Sequence, residues 1–232
     1  MDKNSQFFSL LHNRIYLFLH TSGYPGTFKS SPASYRHPWV TIWNKYKKMR
    51  SKELDDLRMD LSVKSKNGID FTLAASILWL VVVCIWSLDF KPYDKSILVF
   101  IAGGPMLPLS FLFSRLLKTN WKIKDNPLQP LGLWLNFAQL FYFPFLIFVM
   151  IRMPEYFIMT YAIITGGHLF PYAWFYKTKW YAIFAGLIVL GSLIIGLSLP
   201  NEKMYFVALF TSISLFLLTI CLFCNILKRR TI

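Results

Sequence analysis

Residues 180–199 read WYAIFAGLIVLGSLIIGLSL, from Trp180 to Leu199. The block carries no Asp, Glu, Lys or Arg along its whole length. At 1.5 Å per residue, a helix of about 20 residues covers about 30 Å, the hydrocarbon thickness of a bilayer. The block therefore predicts a transmembrane helix, and it sets the fold class.

The same character recurs in five more blocks, at about 70–88, 95–117, 131–151, 155–176 and 203–227. The connections are short, so neighbouring helices are expected as antiparallel hairpins. The expected fold is an all-α, polytopic membrane helix bundle of about six transmembrane helices. Composition agrees. The apolar set reaches 55% with glycine left out, mean hydropathy is +0.45 and charged residues fall to 16%, whereas soluble domains reach roughly 45–50% apolar with glycine counted.

The net charge of +14 could point to nucleic acid, but the cations lie at the ends of apolar blocks, where the positive-inside rule accounts for them. One side receives Arg50, Lys52, Arg58, Lys64 and Lys66, then Arg115, Lys118, Lys122 and Lys124, then Lys177 and Lys179, then Lys228, Arg229 and Arg230. The other receives only Lys91, Lys95, Arg152 and Lys203. Both termini are therefore expected on the cytoplasmic side. The partners this pattern calls for are the lipid bilayer and anionic lipids at the cytoplasmic face, with no nucleic acid; a homo-oligomer is left open.

Residues 1–50 read differently, as a basic tail that is poorly ordered. The apolar stretch Phe7–Leu19 is interrupted by His12, Asn13 and Arg14, too short to span and without the uninterrupted core of a signal peptide. Residues 51–232 form the expected membrane domain. It opens with a short interfacial helix at about 52–67, capped by Ser51, with Leu54, Leu57 and Leu61 on one face and Gly68 closing it.

Two segments echo each other. Gly103-Gly104-Pro105-Met106-Leu107-Pro108 and Gly166-Gly167-His168-Leu169-Phe170-Pro171 both read Gly-Gly-x-apolar-apolar-Pro. Each is followed by Lys-Thr-x-Trp, at Lys118–Trp121 and Lys177–Trp180, with a difference of four residues in the spacing. Proline removes a backbone donor and clashes one turn back, so Gly103, Gly104, Pro105, Pro108, Pro144, Gly166, Gly167 and Pro171 are the expected hinge positions. Gly/Pro-interrupted spans at matching depth point to a binding site, although membrane helices also tolerate such residues as plain kinks.

Polar residues at membrane depth are costly and should face the interior. His168 and Tyr172 lie one turn apart, Asn136 and Gln139 share a face at i, i+3, and Tyr142 follows. These five are the candidate substrate-binding residues; interhelical hydrogen bonding is the plainer alternative. Ala182-x-x-x-Gly186 and Ser192-x-x-x-Gly196 read as close-packing patterns. Cys84, Cys221 and Cys224 lie in apolar blocks and give no disulfide framework. No catalytic residue, metal-ligand set or cofactor is assigned: Walker, dinucleotide and nucleophile-elbow patterns are absent, and no carboxylate is expected at depth.

The segments Lys124-Asp-Asn-Pro-Leu128, Gln139-Leu-Phe-Tyr-Phe-Pro144, Met153-Pro-Glu-Tyr156 and Gly166-Gly-His-Leu-Phe-Pro-Tyr172, with Trp174 and Tyr176, resemble an uncharacterised family of small bacterial multi-pass membrane proteins. The resemblance runs from about residue 50 to the end. It implies a place in the cell membrane of a bacterium and brings no activity with it. It also implies that the first 48 residues lie outside the family unit, as an extension or a start assigned upstream of Met49. Three functions stay open: a small-solute carrier or permease-like protein with a pocket between the second, third and fourth spans; a non-catalytic scaffold or accessory subunit; and an intramembrane lipid-modifying enzyme using His168.

Overall fold

The computed structural model describes residues 52–230. The tail, the Phe7–Leu19 stretch and the Ser51 cap lie outside the described residues. Every regular element among the described residues is helical.

Helix α1 covers residues 52–64. It is followed by the turn Lys66–Gly68, in which Lys66, Asn67 and Gly68 all have positive φ. Gly68 then caps α2, Ile69–Trp86. A side chain at Gly68 would press on the Tyr176 hydroxyl, 3.0 Å from where its Cβ would stand. The expected second span is two helices, α3 (Pro92–Gly103) and α4 (Met106–Leu117), bent by 41° at Gly104-Pro105. The expected third is α5 (Gln129–Leu140) and α6 (Phe143–Arg152), interrupted at Phe141 and Tyr142. Helices α7 (Phe157–Phe175), α8 (Trp180–Ser198) and α9 (Tyr205–Arg230) complete the bundle.

Among the described residues four helical stretches are long and apolar enough to cross a membrane: Lys66–Trp86, Gln129–Arg152, Trp180–Ser198 and Asn201–Arg229. The bent α3/α4 pair raises the number to five. Helix α7 matches α8 in length at 19 residues. It falls outside that set because Thr160, Thr165, His168 and Pro171 dilute its apolar character.

The core belongs to α2, α7, α8 and α9, which pack along one another. Ala74, Ile158, Ala162, Ile188, Leu215 and Leu218 are fully buried there. Short polar side chains tie α2 to α9: Thr219 Oγ1 donates to Thr72 Oγ1 at 2.8 Å, and Ser212 Oγ to the Ser76 carbonyl at 2.8 Å. Small residues set the spacing. A Cβ on Gly166 would stand 2.9 Å from Ile188 Cγ2, and one on Gly196 would stand 2.6 Å from Met159 Sδ. Gly186, by contrast, meets nothing within 4 Å, so only part of the small-residue pattern in α8 serves close packing.

Helices α3 to α6 form a looser second layer. Half of the most apolar window of Asn201–Arg229 is buried, against 11% for Gln129–Arg152. The two ends of the layer part company. Helix α3 reaches α6 and α7, with the Phe100 ring 5.8 Å from Phe143 and 5.5 Å from Phe157, while α4 turns back onto α2.

Candidate functional site

Tyr172 sits on the inner face of α7 and is 7% exposed. A buried phenol needs a hydrogen-bond partner. It finds one across the helix boundary: the Tyr172 hydroxyl donates to Asn136 Oδ1 on α5 at 2.9 Å. Asn136 Nδ2 donates in turn to the Gly132 carbonyl, one turn back in its own helix, at 3.1 Å. Helix α5 can come this close because Gly132 faces Phe175, whose ring atom would stand 3.0 Å from an added Cβ. The His168 ring lies edge-on against Tyr172, with centroids 5.4 Å apart. Three of the five expected residues, Asn136, His168 and Tyr172, are therefore brought together in a seam between α5 and α7.

The other two expected residues stand apart from that contact. Gln139 is half-buried on α5, and no hydrogen bond joins it to His168 or Tyr172 among the described residues. Tyr142 is 53% exposed. Its backbone occupies the α5/α6 break, where its N–H donates to the Gln139 carbonyl at 3.1 Å.

The hinge positions divide in the same way. Gly103, Gly104 and Pro105 lie at the 41° bend, and Pro108 lies in the first turn of α4. Pro144 opens α6, and having no N–H it leaves the Leu140 carbonyl without its helical donor. Gly166, Gly167 and Pro171 are all inside α7, which continues through them.

A second polar group fills the end of the bundle where α1 lies. Asp70 is 1% exposed. Its Oδ2 accepts from Trp121 Nε1 at 2.5 Å and from Thr119 Oγ1 at 3.0 Å. This buried carboxylate at the start of a span was not foreseen in the sequence, although Asp70 is the one acidic residue of its apolar block. Asn67 is fully buried beside it. Its side chain accepts from Ser62 Oγ at 2.5 Å, and its carbonyl accepts from the Tyr181 hydroxyl at 2.7 Å. Arg229 donates to Ser62 Oγ and to the Lys177 carbonyl. Tyr172, Tyr176 and Tyr181 stack with centroids 5.6 to 5.9 Å apart, so aromatic contact runs from the α5/α7 seam to this cluster.

Helix α1 is bound into the same end by polar contacts. Arg58 Nε donates to the Trp174 carbonyl at 2.6 Å, with its guanidinium 4.6 Å from the Trp174 ring. Asn126 Nδ2 donates to the Leu57 carbonyl at 2.8 Å and to Asp60 at 3.0 Å. Asp55 pairs with Lys177 at 2.9 Å and with Arg58 at 2.8 Å. The Lys177 contact, helped by Arg58, holds the Asp55 carboxyl below its ordinary value against the opposing effect of desolvation. Four basic segments thus meet at one end of the molecule: α1, the loop after α4, the loop after α7 and the end of α9.

The chain belongs to a family of unknown function, DUF7010, whose model matches residues 54–225. The match begins inside α1 and ends inside α9, so it takes in both the seam and the Asp70 cluster. No curated protein and no solved structure matches the chain.

Proposed function

We propose that this protein crosses the cytoplasmic membrane of a bacterium six times, with both ends inside, and carries a small polar solute through the seam between α5 and α7. The observation that carries the reading is the Tyr172–Asn136 hydrogen bond, with His168 against it, between an intact core helix and one whose hydrogen-bond ladder is interrupted at Phe141 and Tyr142. Broken membrane helices beside polar side chains are the usual setting of a transport site, because their free backbone groups need a cavity or a ligand. The bent α3/α4 pair adds a second interrupted helix to the same layer. Six crossings count α7 as a span, on its length and its central packing. Orientation is supported by the four basic segments gathered at the α1 end, against Lys91, Lys95, Arg152 and Lys203 elsewhere. The bacterial membrane rests on the family resemblance.

A second reading is favoured by a separate observation. The core of α2, α7, α8 and α9 is filled by fully buried side chains, and a solid core suits an accessory subunit. Catalysis has less to stand on: His168 touches Tyr172 and hydrogen-bonds nothing among the described residues.

The deciding experiment is a thermal-shift screen of the purified protein in lipid nanodiscs over a library of small metabolites. At least one should raise the melting temperature, and Tyr172→Phe with Asn136→Leu should abolish that rise. If no metabolite moves the wild type, the accessory-subunit reading takes its place. Topology is checked by thiol labelling: cysteines at Tyr93 and Asn201 should react from outside, and at Asn120 and Lys179 from inside.

A further inference from the structure

Beside the Asp70 cluster, the C-terminal end of α4 and the loop after it enclose an open groove of about 420 Å³. Three cations line it: Arg115, Lys118 and Lys122. Among the described residues no acidic side chain lines it, and the Lys118 and Lys122 ammonium groups make neither an ion pair nor a hydrogen bond. Arg115 lies over the Phe111 ring at 4.9 Å, which leaves the N–H groups of its guanidinium to other acceptors.

The loop that forms the groove is held by hydrogen bonds. Lys118 takes the left-handed conformation that ends α4, with φ of 52°. The next N–H, of Thr119, donates back to the Ser114 carbonyl at 2.9 Å, and the Asn120 N–H donates to the Lys64 carbonyl at 3.1 Å. Asp70 then holds the Thr119 hydroxyl and the Trp121 indole from below. The lysines are thus mounted on a fixed loop.

We propose that this groove binds the phosphate of an anionic phospholipid headgroup. Three cations on a fixed frame suit a phosphodiester: an arginine fork can grip two oxygens while lysines add point charges. A lipid is favoured over a soluble phosphate by what lies next to the groove. Leu112 and Leu116 on α4 are 53% and 66% exposed, and these apolar side chains supply contact for acyl chains. Trp121 on the rim is an interfacial residue type. The inference deepens the membrane orientation proposed above, since it puts this end of α4 at headgroup depth.

The test uses the full chain in detergent, titrated with phosphatidylglycerol or phosphatidylcholine and followed by native mass spectrometry. Wild type should retain phosphatidylglycerol through delipidation and shed phosphatidylcholine. The variant Arg115→Gln/Lys118→Gln/Lys122→Gln should lose that preference. The control Lys52→Gln/Lys124→Gln/Lys179→Gln removes the same charge and should keep it. Equal loss in both variants would mean diffuse attraction and overturn the proposal, as would retention by the first. Glycerol 3-phosphate binding as tightly as the lipid would overturn the lipid source. Should the triple variant fail to fold, Lys122→Gln alone must weaken retention severalfold. Sidedness plays no part in detergent, so reversed thiol labelling of Asn120→Cys would break the topology and leave this result standing.

Discussion

The same six-residue pattern stands at Gly103–Pro108 and at Gly166–Pro171, and the chain treats the two differently. The first parts α3 from α4 with a 41° bend, while the second lies inside an unbroken α7. One position accounts for most of the contrast. Where the first has Pro105, the second has His168. Pro105 and Pro108 together withhold donors from the carbonyls of Ile101 and Gly104, and the Gly104 N–H turns back to Ile101 at 3.1 Å instead. In α7 only Pro171 withholds a donor, and packing holds the helix: Gly166 is pressed on Ile188 and Val189. A lone proline inside a well-packed helix is absorbed, and a pair three residues apart in an exposed layer is not.

Downstream the two copies agree. Lys118 and Lys177 both end their helices with positive φ, at 52° and 50°. Thr119 and Thr178 both donate back five residues, to Ser114 and Ala173, at 2.9 and 3.0 Å. This is the Schellman ending of a helix made without glycine. The echo in the sequence is thus a repeat of helix endings and not of helix breaks.

The largest effect should come from making the copies alike. His168→Pro gives α7 the second proline and should destabilise the protein by about 3 kcal/mol or more, measured as a lower melting temperature in detergent. Pro105→His should restore one helical hydrogen bond and be tolerated. If His168→Pro melts like the wild type, the residue at this position does not set the contrast between the two segments.

Next come the glycines. Gly166→Ala would put a Cβ 2.9 Å from Ile188 Cγ2, and overpacking of this kind costs about 1–3 kcal/mol. Gly103→Ala meets only the Tyr161 hydroxyl, at 3.9 Å, and should change stability by less than about 1 kcal/mol. The comparison fails if the two substitutions melt alike.

Of similar or smaller size is the anchor under the first Lys-Thr-x-Trp. Asp70→Ala leaves the Thr119 hydroxyl and the Trp121 indole without their acceptor, a loss of about 1–3 kcal/mol. Asp70→Asn keeps an acceptor and should lose less. Trp121 fluorescence should shift red only in the alanine variant.

The smallest effect concerns the second ending, where Lys177 pairs with Asp55. The folded carboxyl titrates below its ordinary value of 3.8. Its contribution is therefore present above that value and lost as pH falls through the folded pKa. Asp55→Asn should lower the melting temperature slightly at pH 7, and the difference from wild type should shrink as pH falls through the lowered folded pKa. A difference that grows on acidification would contradict the pairing.

The helical class and the apolar blocks were legible because a membrane imposes length and polarity on each one. That polar residues of α5 and α7 belong on inner faces follows from their cost in lipid, but which of them bond was not legible: Tyr172 reaches Asn136, and Gln139 stands apart. The difference between the two glycine–proline segments was not legible either. It turns on the residue at the free position of the pattern and on Ile188, more than 20 residues away. Asp70 escaped notice because a carboxylate at the first residue of a block reads as an interface residue. Only the fold of the 118–122 loop over it makes it buried. The docking of α1 likewise depends on Asn126 and Trp174, which no periodicity within α1 reports.

The proposed carrier function requires the seam between α5 and α7 to open to water and to a solute. In a variant without native cysteines, single cysteines at Asn136, Gln139 and Phe137 can be challenged with a membrane-impermeant thiol reagent in proteoliposomes. Fast labelling is expected at 136 and 139, slow labelling at the outward, 45%-exposed Phe137 position, and protection of 139, where Asn136 and Tyr172 are intact, by the metabolite that shifts the melting temperature. Labelling at 136 and 139 no faster than at 137 would contradict it.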